Sequence, residues 1–122
     1  PIYTPAQYAA IESYTKPSDH THTMVENLTL RRDYAYKRIN EIDGISVVNP
    51  KGAFYMFPKI DLGDRWKTDK AFVLDLLKKT GVCTVFGSGF GKYGEGHIRM
   101  TLFPSLNEFK IVFDKMEKFF KF

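Results

Sequence analysis

The sequence predicts an α+β two-layer sandwich: a small, mostly antiparallel sheet with helices packed on one face, preceded by a long helix. Three observations lead there. Apolar residues recur at three- and four-residue spacings, or their sums, between Thr23 and Ile42 and again after Ser105, which is helical periodicity. Short runs rich in β-branched and aromatic residues, Ile45–Val48 and Ala53–Phe57, flank a cluster of turn formers. Residues 97–102 alternate apolar and polar with period two, which marks a half-buried strand. The resulting order of helix, long helix, hairpin, helix, strand, strand, helix suits two layers.

Each element has a local cause. Pro5 can open a helix over Ala6–Tyr14 from its first turn, and Lys16-Pro17-Ser18-Asp19 breaks it. Val25, Leu28, Ala35, Ile39 and Ile42 form the buried stripe of the long helix, and Asp43-Gly44 stops it. Asn49-Pro50-Lys51-Gly52 should turn the chain between two strands, giving a hairpin. Pro58–Lys67 reads as irregular, with Trp66 covering the edge of the core. Thr68 is a plausible N-cap for a helix over Asp69–Lys79, with an acid at its start, Lys78-Lys79 at its end and Gly81 as the stop. Val82–Phe86 reads as a short strand, with Cys83 a small buried hydrophobe within it. Ser105 and Glu108 form a capping box for the last helix.

Composition narrows the function classes. The chain has 122 residues, 18 Lys+Arg against 14 Asp+Glu for a net charge of +4, and one cysteine. A chain of this length folds to roughly 6,700 Å² of surface from roughly 20,000 Å² unfolded, enough burial for one core. One cysteine excludes an internal disulfide framework and a cysteine-based zinc site. No apolar run reaches the ~20 residues a bilayer requires, and the first residues lack a signal-peptide pattern, so a cytoplasmic protein without a membrane partner is expected. The sequence pI of about 9.2 raises the question of nucleic acid. Yet Lys110, Lys115, Lys118 and Lys121 fall between Phe109, Val112, Phe113, Met116, Phe119 and Phe120 as the solvated side of a helix, so no nucleic-acid partner is expected.

The informative chemistry lies between Val82 and Leu102. In the strand over 97–102, Ile98, Met100 and Leu102 share one face while His97, Arg99 and Thr101 share the other. An arginine in the middle of a short strand needs solvent, an acidic neighbour such as Glu95, or an anion. Its planar fork matches a carboxylate or phosphate with two parallel hydrogen bonds. The glycines at 87, 89, 91, 94 and 96 would let backbone approach a ligand closely. Gly87-Ser88-Gly89-Phe90-Gly91 lacks dinucleotide-fingerprint spacing and precedes a strand, and Lys92 is followed by Tyr93 where a phosphate loop has a hydroxyl residue. His20 and His22 with Asp19 lack a third ligand, so no metal is expected. No catalytic set is visible in the spacings.

Four ordered segments carry a resemblance: Asn49-Pro50-Lys51-Gly52-Ala53-Phe54-Tyr55-Met56-Phe57-Pro58, Leu76-Leu77-Lys78-Lys79-Thr80-Gly81-Val82, Val85-Phe86-Gly87-Ser88-Gly89-Phe90-Gly91, and Gly94-Glu95-Gly96-His97-Ile98-Arg99-Met100. Together they resemble the C-terminal small domain of class I/II, fold-type I, pyridoxal-phosphate-dependent aminotransferases, in the aspartate, alanine and aromatic branch. Gln7 with Ala9-Ala10 resembles the family's passage from large to small domain, so residues 1–22 are expected to be a remnant of the large-domain or linker region and 23–122 the small domain. The resemblance implies transfer of an amino group between an amino acid and a 2-oxo acid, with pyridoxal 5'-phosphate as electron sink, in a homodimer. It implies that Arg99 holds the substrate α-carboxylate. Phe54 resembles a position near the active-site wall and reads equally as a core aromatic. Phe86 and Gly89 depart from the family's usual loop residues. No lysine of this chain is carried over as the cofactor lysine, which the resemblance implies lies, with most cofactor ligands, in a preceding large domain. The 122-residue species is then expected to be inactive alone. Two other readings fit the residues: a free-standing module that binds a small carboxylate, and an interaction domain that presents its basic helix to an acidic partner.

Overall fold

The structure, a computed structural model, describes residues 2–16 and 19–121. Pro17 and Ser18, part of the expected break after the first helix, lie outside the described residues. Helix α1 (Thr4–Thr15) has proline in its first turn and buries none of its residues. Helix α2 (Asp19–Asn40) begins at Asp19, four residues before the expected Thr23. Leu28 is its first residue packed against the core, followed by Ala35 and Ile39, with Ile42 just beyond its end. Val25, expected on the same stripe, is 53% exposed. It borders a shallow hollow facing Pro50, Lys51, Gly52 and Ala53, so its stripe continues in sequence but meets a turn and not a packed layer.

Among the described residues there are five short strands: β1 (Ile45–Ser46), β2 (Tyr55–Met56), β3 (Lys59–Ile60), β4 (Val85–Phe86) and β5 (Ile98–Thr101). All pairings are antiparallel. One sheet has the order β2-β5-β4, and β1 pairs separately with β3. A bridge between Lys59 and His97 links the two. The expected hairpin between 45–48 and 53–57 does not form. Ile45 pairs with Ile60, and Tyr55 and Met56 pair with Thr101 and Met100. The reason is local: Asn40 at the end of α2 accepts from the Val47 amide (3.0 Å) and donates to the Val47 carbonyl (3.2 Å), occupying both groups that a hairpin ladder would use. The freed segment 53–57 pairs with β5 instead, and β3 falls inside the stretch read as irregular.

Helix α3 (Asp69–Thr80) follows its sequence signals closely. The Thr68 hydroxyl accepts from the Ala71 amide, and Gly81 stops the helix with φ of 74°. Helix α4 (Leu106–Phe120) carries the complete Ser105–Glu108 capping box, an arrangement worth ~1 kcal/mol. The core lies between these helices and the inner sheet face. Phe72 and Leu76 of α3, Phe109, Phe113, Met116 and Phe119 of α4, and Met56, Ile98 and Leu102 of the sheet region are all enclosed. Trp66 closes one edge, with its ring edge-on to Phe72 and stacked on Phe119. Arg38 ties α2 to α4 through Glu117 (3.0 Å) and also pairs with Glu41 just past its own helix (2.9 Å). The lysines of α4 face solvent, as the periodicity implied.

Cys83 corrects another expectation, because its thiol is exposed. Val82 and Thr84 are buried on either side of it, and extended chain alternates faces at every residue. Once Val82 points inward, Cys83 must point outward. No helix among the described residues is long and apolar enough to cross a membrane.

Candidate functional site

The sheet is covered by helices on one face only. Ile98, Met100 and Leu102 turn into the core, while Arg99 and Thr101 lie on the outer, half-exposed face. Val85 stands opposite Arg99, and Tyr55 opposite Thr101. Directly paired residues of antiparallel strands project on the same side, so Arg99 occupies the middle of the outer face.

Two rings clamp it. The guanidinium carbon is 4.6 Å from the centroid of Tyr55 and 4.5 Å from that of Phe90. Contacts of this kind hold a cation with ~0.5–2 kcal/mol each, more as water is excluded. The Arg99 Nε is buried and has no hydrogen-bond partner. No carboxylate pairs with Arg99 among the described residues, so the reading of a surface arginine neutralised by Glu95 or an aspartate is not what the fold builds. A buried donor without an acceptor costs ~1–3 kcal/mol, which an incoming anion would remove. Behind the clamp, Phe57 stacks on His97 at 5.1 Å and meets Phe90 edge-on at 6.1 Å. A surface hollow of about 530 Å³, lined in part by Val48, Pro50, Tyr55, Phe57, Lys59 and His97, opens beside these rings. Phe54 is half-buried outside the core, stacked on Phe103 at 4.8 Å and touching Tyr55 at 4.3 Å, so it extends the aromatic wall by one ring.

The glycine segment folds into two short 3-10 turns, Gly87–Phe90 and Lys92–Gly94. Its close approach is to itself: a Cβ on Gly94 would lie 1.9 Å from the Gly87 carbonyl oxygen, and one on Gly87 would lie 2.3 Å from the Gly94 oxygen. The first turn is also fastened to the start of α3. Asp69, only 3% exposed, accepts from the Ser88 amide (2.6 Å) and the Ser88 hydroxyl (2.9 Å). Phe86 and Gly89 touch each other. A Cβ at 89 would sit 3.0 Å from the Phe86 ring, so the bulky residue and the missing side chain form one fit.

His20 and His22 are exposed near the start of α2, and no group of three metal-ligating side chains occurs among the described residues. A separate hollow of about 640 Å³ between α3 and α4 is lined by Arg65, Lys79, Thr80, Lys115, Lys118 and Phe119. Its cations are largely engaged: Lys79 pairs with Asp75 at 3.0 Å, and Lys115 donates to the Thr80 carbonyl.

A family model described as aminotransferase class I and II matches residues 2–112. The chain belongs to the class I and II aminotransferase family. It is 38% identical over 114 residues to a probable N-acetyl-LL-diaminopimelate aminotransferase of Bacillus subtilis, a match covering 93% of this chain and 28% of that protein. It is 42% identical over 88 residues to an aspartate aminotransferase of Pyrococcus abyssi, covering 72% of this chain and 22% of the relative. Among solved structures, an alanine aminotransferase from Pyrococcus furiosus superposes with a TM-score of 0.92 at 52% identity, covering 97% of this chain and 30% of that one. The chain therefore spans less than a third of the length of these aminotransferases.

Sequence reasoning placed Arg99 on the correct face but missed its setting. Tyr55 was legible, since period-two alternation around inward Met56 sends Tyr55 and Phe57 outward. Phe90 was not, because its approach depends on how the glycine turn folds back. Locally, Asp69 is an acid suited to a helix start; its bonds to Ser88 span 19 positions that no local pattern connects.

Proposed function

We propose that this chain is the substrate-carboxylate-binding part of a pyridoxal-phosphate-dependent aminotransferase, which moves an amino group between an amino acid and a 2-oxo acid. Family membership supports the reaction class. The observation that carries the residue assignment is Arg99: a cationic fork held between Tyr55 and Phe90, with a buried unpaired Nε and no acidic partner among the described residues.

In this reading Arg99 takes the two α-carboxylate oxygens in parallel N–H···O bonds, which fixes the orientation of the amino-bearing carbon. The rings on both sides keep the guanidinium from swinging and exclude water from its flanks. Pyridoxal phosphate itself requires an amine for its aldehyde, donors for its phosphate and a carboxylate for its ring nitrogen. The Arg99 clamp provides one cation and aromatic faces, so it fits a substrate carboxylate and not that group. The cofactor set is assigned to protein outside these 122 residues.

The surface agrees with a larger assembly. The chain exposes 8670 Å², against roughly 6,700 Å² for a compact monomer of its mass. Helix α1 buries nothing, and its Tyr8, Ile11 and Tyr14 are 71%, 58% and 91% exposed. We assign α1, within residues 1–22, to the large-domain or linker side, and the full protein to a homodimer whose other parts cover this surface.

The test is Arg99→Ala and Arg99→Lys in the full-length protein. Removing one partner of a buried charged pair costs ~3–5 kcal/mol, so Arg99→Ala should raise the KM for the amino acid ~10²–10⁴-fold. Arg99→Lys keeps the charge but loses the fork and should remain impaired. Unchanged KM and kcat in Arg99→Ala would overturn the assignment. In the same experiment, the 122-residue chain alone should cause no stoichiometric shift in the absorbance spectrum of added pyridoxal phosphate.

A further inference from the structure

We propose that Asp69 is a positioning residue for carboxylate binding, acting through the turn that carries Phe90. The inference rests on the reading of Arg99 given above. Asp69 is an almost fully buried acid with no cationic partner among the described residues. Its oxygens are satisfied by the Lys70 amide (2.8 Å), the Ser88 amide (2.6 Å) and the Ser88 hydroxyl (2.9 Å). The N-terminus of α3 supplies a favourable field for an acidic side chain there. An acid serving only that helix could stay at its surface. Asp69 is instead turned inward and spends two of its three bonds on a turn elsewhere in the chain.

The turn needs that anchor. Phe90 is 51% exposed, so burial does not fix its ring against Arg99. Its position follows from the backbone at 87–90. That backbone is tied at Gly87, whose amide donates to the His97 carbonyl (2.8 Å), and at Ser88 by Asp69. The first tie refers the turn to the start of β5, and the second refers it to α3. With both in place, Phe90 closes over the guanidinium. With the second released, one wall of the clamp is free to drift.

Asp69→Asn tests this directly. Placed toward the Ser88 amide, the NH2 breaks the tie to the turn while size is conserved; turned the other way it faces the Lys70 amide and donates to the Ser88 hydroxyl, so Ser88→Ala, which deletes a bond to the turn in either case, is measured beside it. The measurements use the full-length holoenzyme, with L-alanine as substrate and propionate as competing carboxylate. Expected are a ~10-fold rise in both the KM for L-alanine and the inhibition constant of propionate, with kcat within ~3-fold, since misplacing a recognition group acts mainly on the group it recognises. Phe90→Ala should reproduce the effect, and Asp69→Asn on top of it should add less than ~2-fold, as expected for residues acting through one contact. Unchanged KM and inhibition constant in both Asp69→Asn and Ser88→Ala, alongside a large effect of Arg99→Ala, would overturn the positioning role alone. Fully additive losses with Phe90→Ala would also overturn it. No effect of Arg99→Ala would instead remove the reading on which it rests. If Asp69→Asn does not fold, Ser88→Ala carries the test: it deletes only the hydroxyl bond and should raise both constants ~3-fold, and no change there would overturn the proposal.

Discussion

Replacing Gly94 by alanine asks whether the glycine turn is closed as tightly as its geometry indicates. The new Cβ would lie 1.9 Å from the Gly87 carbonyl oxygen and 2.6 Å from its carbon. Ordinary contact begins near 3.4 Å, so two stretches of backbone must separate by roughly 1.5 Å, and no flexible side chain can yield in their place. The separation strains the His97 amide to Gly94 carbonyl bond (3.1 Å) and the Gly87 amide to His97 carbonyl bond (2.8 Å). Overpacking costs ~1–3 kcal/mol, and each strained bond up to ~1 kcal/mol, so the expected destabilisation is ~2–4 kcal/mol. At about 0.25 kcal/mol per degree for a chain of this size, Tm should fall by ~8–16 °C. Thermal unfolding followed through Trp66, the sole tryptophan and a buried one, reads this out. Gly52→Ala is the control: nothing lies within 4 Å of its Cβ and its φ is not positive, so its Tm should stay within ~2 °C. A Gly94→Ala protein as stable as Gly52→Ala would refute the closed turn, and with it the account of how Phe90 reaches Arg99.

Two further outcomes follow from the packing. Hydrogen bonds from Lys121 and Arg38 hold the Glu117 carboxyl below the usual carboxylate range. A carboxyl whose value is lowered on folding contributes stability that is complete above its unfolded value of ~4.3 and is lost as pH falls through the folded value. Glu117→Gln should therefore lessen the loss of Tm on acidification below about pH 4.3, and an unchanged Tm profile would refute the role of the Arg38–Glu117 link. Cys83 should react stoichiometrically with a thiol-disulfide reagent in the native state, because its thiol is exposed; reaction only on unfolding would restore the buried reading.

What could be read in advance was local. Thr68, Gly81, Ser105 and Glu108 set the bounds of α3 and α4 through bonds within a few residues, and the structure reproduces them. The alternation from Ile98 to Leu102 assigned Arg99 to the outer face before any partner was known. The hairpin failed because Asn40 captures Val47, a side-chain bond across seven positions that outcompetes a ladder suggested by strand-like composition. Cys83 failed on phase: a five-residue apolar run does not reveal which alternate residues face inward.

The sequence by itself determined the helices, the face of β5 that carries Arg99 and the family to which the chain belongs, because these depend on periodicity, capping and ordered motifs. Only the tertiary structure decided which strands pair and what surrounds the arginine. Tyr55, Phe90 and Arg99 come from three separate segments, and Asp69, which fastens one of them, comes from a fourth. Contacts across such distances exist only after the core has brought β2, β5, α3 and the glycine turn to one end of the sheet, and no local preference encodes them.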